Sequence, residues 1–128
     1  MISLLKSMLQ RWNDWCGDRE MELEIRKHLS ANGYYGNTAQ LKNVRLIAVQ
    51  RPGWLQVFRF EVVARVQAAE TEGPEPEAVY EQLFGLVRED IRHKMTRVRV
   101  FRDPRERKQL FSRWGDGLIQ LRGAHGLG

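Results

Sequence analysis

The sequence predicts an α+β fold: a single antiparallel sheet of about four strands, arranged as a meander, covered by N-terminal helix or helices and followed by a C-terminal helix. Three observations predict it. Residues 41 to 66 form two β-branched-rich runs around Pro52-Gly53, a hairpin signature. Two further runs, 77–94 and 96–102, read as strands. Apolar residues at three- and four-residue steps mark helices before and after these runs.

In chain order, Ile2, Leu5, Leu9, Trp12 and Cys16 form a helical stripe that Gly17-Asp18 interrupts. Asp18 suits the N-cap of a second helix, with Glu20, Glu22 and Glu24 early and Arg26, Lys27 and His28 late, as the helix dipole favours. Met21, Ile25 and Leu29, with His28 beside them, are its buried stripe, and Asn32-Gly33 its stop. One bent helix over 2–31 fits the same pattern. Residues 34 to 37, with two tyrosines and Gly36, read as a loop.

In the second hairpin strand, Phe58, Phe60, Val62, Ala64 and Val66 share one face, and Arg59, Glu61 and Arg65 the other. Residues 68–76, with three glutamates and two prolines, form a mobile polar loop. The run 77–94 fits either a helix or a strand. Strand is the expectation, because Gly85 weakens a helix and the hairpin needs an antiparallel neighbour. In 96–102, Val98 and Val100 face one way and Arg97, Arg99 and Phe101 the other. Asp103 then caps a helix with Pro104 at its first position and Glu106 three residues after the cap. Leu110, Phe111 and Trp114 are its apolar face, and Leu118 to Leu121 are either its continuation or a short extended segment. The helices are expected on one face of the sheet.

The outline resembles cystatin-like and nuclear-transport-factor-like sheets. The likeness is one of architecture, since no motif of either family is present.

The chain has 128 residues, 42% hydrophobic and 29% charged, as expected of one globular domain over 1–122 with a glycine-rich, disordered tail at 123–128. One cysteine, Cys16, excludes an internal disulfide framework. No secretory signal or membrane-spanning run is legible, so a cytoplasmic location without membrane contact is expected. The net charge is +5 and unevenly spread. Residues 70–81 hold five glutamates and no basic residue, whereas 88–113 hold ten basic and four acidic residues, a local +6.

Chemistry is sparse. No catalytic residue, metal site or cofactor is assigned: the cysteine and three histidines lack ligand spacing, and no phosphate-binding loop is present. His93 is the nearest to a general base, with Asp90 or Glu89 beside it, and reads as part of a turn. His28 reads as a helix-end residue, Cys16 as a buried thiol, and His125 carries no assignment. A non-enzymatic protein-interaction or self-associating module, with a homodimer favoured over a monomer, is the expected function. Its candidate contacts are Trp54 at the hairpin tip and Arg97, Arg99, Phe101 and Arg102. The same arginines in 88–113, with Phe101 to stack a base, define a nucleic-acid-binding alternative. A small-molecule pocket between helix and sheet, lined by Phe58, Phe60, Val62 and Phe84, is a third. That set lacks convergent polar groups, so a filled core is expected there.

Overall fold

The computed structural model describes residues 19–50, 54–68, 73, 77–122 and 124. The expectations for the 2–16 helix, Asp18, Cys16, the Pro52-Gly53 turn, His125, most of the 68–76 loop and most of the tail lie outside them. Helix α1 (Arg19–Ala31) leads into strands β1 (Tyr34–Val49), β2 (Leu55–Val66), β3 (Tyr80–Asp90) and β4 (Met95–Phe101). Helix α2 (Pro104–Trp114) and strand β5 (Ile119–Gln120) complete the chain. The strands form one antiparallel sheet in the order β4-β3-β2-β1-β5. The sheet curls like a half-barrel.

The meander and the strand reading of 77–94 hold. Gly85 explains that strand better than a helix. It lies opposite Phe60, and a Cβ built on it would overlap the Phe60 ring. The glycine leaves room for an aromatic ring on the neighbouring strand.

Residues 34–37 are not a loop but the start of β1. Arg26 of α1 explains why: its Nη1 donates to the carbonyls of Gly36, Asn37 and Ala39 at 2.7, 3.3 and 3.0 Å. A Cβ on Gly36 would overlap the Arg26 carbonyl, so glycine permits the close approach of helix and strand. The β1–β2 register shifts three times, and Asn43 takes a left-handed φ of 56° between two of the paired stretches. Such bulges bend a strand and increase its twist.

The helices lie on opposite faces of the sheet, not on one. Met21, Ile25 and Leu29 of α1 pack with Phe60, Val62, Ala64, Leu83, Val87 and Val98. Leu110 and Phe111 of α2 pack with Ile47, Ala48, Val57 and Leu86 on the reverse face. Alternation along the strands requires this: Val57 and Phe58, like Leu86 and Val87, are neighbours in sequence that join different clusters. Helix α2 begins at the β4 edge, and the chain after it reaches the far edge as β5, where Leu121 N–H donates to the Ile47 carbonyl at 2.8 Å. Asp103 caps α2 as expected, its carboxylate accepting from Arg105 N–H at 2.9 Å.

Candidate functional site

A cleft of about 430 Å³ opens where the C-terminal end of α1 meets the β4–α2 corner. Leu83, Val100 and Phe101 contribute its apolar lining, and His28, Asn32, Tyr34, Arg102, Asp103 and Glu106 its polar lining. Tyr34 hydroxyl donates to Glu81 Oε2 at 2.7 Å, and Arg102 Nε lies 3.0 Å from the same oxygen. Burial and then the Glu81 hydrogen bond raise the Tyr34 phenol above its ordinary value, against the pull of Arg102. Its bond to Tyr34, together with Glu81, raises Arg102. Arg105 holds the Asp103 carboxyl low, first through its backbone N–H and then through its guanidinium.

Across the cleft, burial and the nearby Arg99 hold the His28 imidazole below its ordinary value. The backbone carbonyl of His28 accepts from Asn32 Nδ2 at 2.7 Å, while its ring makes no hydrogen bond among the described residues.

The sequence-predicted residues divide among several places. Phe101 and Arg102 line the cleft. Phe101 is half-buried and packs against the α2 cluster. Phe60 and Val62 are fully buried and Phe58 packs against the same cluster, whereas Phe84 lies on the reverse face beneath Arg107. Those four residues therefore do not line one face of the sheet.

Trp54 is 45% exposed at the end of the sheet where β2 begins, β3 ends and β4 begins. Its carbonyl accepts from Ile91 N–H at 2.8 Å, and Arg92 lies 5.7 Å from its ring centroid. Ile91 and Met95, each 47% exposed, stand at this end too. Arg88 and Arg97 are direct cross-strand partners. Neither they, nor Arg92, nor Lys94 makes an ion pair among the described residues. His93 bonds Asp90 twice, through its backbone N–H at 3.1 Å and through Nδ1 at 3.0 Å, which ties the β3–β4 turn.

Sequence reasoning missed a buried charge cluster on the α2 face. Arg107, 2% exposed, donates to the Phe60 carbonyl at 3.1 Å and Glu61 Oε2 at 3.3 Å, and its guanidinium sits 5.1 Å from the Phe84 ring centroid. Arg59 Nη2 binds Glu61 Oε1 at 3.0 Å. Burial first and Arg59 second pull Arg107 below its ordinary value, opposed by Glu61. The cluster joins β2 to α2. Its periodic signal was legible, since Arg59 and Glu61 alternate with the core face, but nothing marked their burial.

Among the described residues, no three His, Cys, Asp or Glu side chains gather as metal ligands, and no helix is long and apolar enough to cross a membrane. The fold and these surfaces define an α+β domain with a small open cleft and a basic, apolar-tipped end. No family model, characterised protein or solved structure matches this chain.

Proposed function

We propose that the domain is a non-enzymatic protein-interaction module that presents the Trp54 end of its sheet to an acidic partner surface. One observation carries this reading: Trp54, Ile91 and Met95 stand exposed together, amid four cations, Arg88, Arg92, Lys94 and Arg97, that have no ion pair among the described residues. Tryptophan, methionine and arginine are enriched in protein interfaces, and tryptophan and arginine dominate their energetic hot spots. An acidic partner gains both the apolar contact and the charge complementarity. A second copy docked through the same end would oppose like charges, so this surface favours a different protein over a two-fold homodimer.

The test is selection from a displayed peptide library, repeated on Trp54→Ala, with light scattering across a concentration series. Enriched peptides should carry Asp or Glu beside apolar residues, lose binding on Trp54→Ala, and leave the free domain monomeric. Basic peptides, or binding indifferent to Trp54, would refute the reading. A dimer dispersed by Trp54→Ala would restore self-association.

Nucleic acid is the second reading, favoured by the same four cations beside an exposed aromatic ring. Binding to a single-stranded oligonucleotide through four phosphates should fall with salt at a log–log slope of about −3. No binding at low salt removes it.

A further inference from the structure

We propose that the cleft between α1 and the β4–α2 corner binds a small organic monoanion, a carboxylate carried on an apolar body. The argument begins with which polar groups are already satisfied. Glu81 is held by Tyr34 and Arg102, and Asp103 by the backbone and side chain of Arg105. Asn32 uses its side-chain amide on the α1 backbone.

Three groups remain available. Arg102 engages its partners through Nε alone, which leaves both terminal nitrogens for a ligand. The half-buried His28 ring has no hydrogen-bond partner among the described residues. Glu106, at the third position of α2, makes no side-chain bond among the described residues.

The first two are nitrogen donors that line one cleft, and a carboxylate matches the planar guanidinium fork. Leu83, Val100 and Phe101 offer an apolar surface to the rest of the ligand. The cleft volume falls within the range of small-molecule sites. Glu106 opposes a second negative charge, which selects a monoanion over a phosphate dianion.

This site is separate from the Trp54 end, so its fate does not depend on the interaction proposed there. The probe is benzoate, titrated into the 15N-labelled full chain alongside benzylamine and phenyl phosphate. Benzoate should shift the amide signals of Tyr34, Leu83, Val100 and Phe101 and bind most tightly of the three. Arg102→Gln should weaken it about tenfold, the loss of one charge-assisted contact. Glu106→Gln, an exposed change that leaves the core untouched, should strengthen benzoate severalfold and narrow the margin over phenyl phosphate. Tighter binding of benzylamine, no shifts at tens of millimolar benzoate, or a Glu106→Gln variant that binds benzoate no better would each overturn the proposal.

Discussion

Gly85 and Phe60 show how one missing side chain organises the centre of the sheet. The ring occupies the space above Gly85, so alanine there forces the ring or the strand to move. Overpacking of this kind costs about 1–3 kcal/mol. Gly85→Ala should therefore lower stability in urea unfolding by that amount, and Phe60→Leu in the same background should recover part of it. Equal stability of Gly85→Ala and the parent would mean that the ring is not where it is described.

His28 gives the fold a pH dependence of defined sign. Its folded pKa lies below the unfolded value of about 6.5, so the unfolded chain takes up the proton first. Its contribution is complete above that pH and is lost as pH falls toward the folded pKa. Arg99 acts on the ring, and Arg102, Asp103 and Glu106 line the same cleft. Stability should thus decline as pH falls through about 6.5 toward the folded pKa in the parent, and decline less in His28→Gln. Parallel curves would contradict the assignment.

Among the elements, the α1–β1 junction depends most on a single side chain. Arg26 bridges three β1 carbonyls and pairs with Glu22 at 3.0 Å. Arg26→Ala removes these bonds together, and hydrogen bonds to a charged group contribute about 1.5–3 kcal/mol. The loss should fall at the upper end of that range, with amide exchange rising first at residues 36–39. Exchange that rises uniformly would show that the bridge holds no local structure.

This junction also marks where the sequence ceased to be readable. β2, β4 and α2 announce themselves through unbroken alternation, or through Asp103 and Pro104. β1 breaks its alternation at three register shifts, and its Gly36 serves a helix contact that no local pattern records. β5 is two residues long and exists because Ile47 offers a carbonyl from a distant strand. The second buried face stayed hidden because Arg59, Glu61 and Arg107 occupy part of it, and buried charge reads locally as exposure. Of the cleft, only Phe101 and Arg102 stood out as contacts, because His28, Asn32, Tyr34 and Leu83 come from separate elements that tertiary packing brings to the β4–α2 corner.

At the scale of the whole molecule, charge is divided along the strands. Glu77 and Glu81 stand where β3 begins, at one end of the sheet. Trp54, Arg88, Arg92, Lys94 and Arg97 belong to the other end, roughly 35 Å away along β3's 11 residues. Both sheet edges resist pairing with another sheet: β5 covers only Ala48 and Val49 of β1, the rest of which is distorted by bulges, and β4 carries Arg97 and Arg99. Association by added strands is therefore disfavoured, which supports the proposal that a partner meets the basic end. Titration of the 15N-labelled chain with poly-L-glutamate at low salt tests this most directly. Amide shifts confined to residues 54–57 and 88–97, and abolished by added salt, are the predicted result. Shifts centred on α1 or on residues 34–36 and 66–68, or none at all, would contradict it.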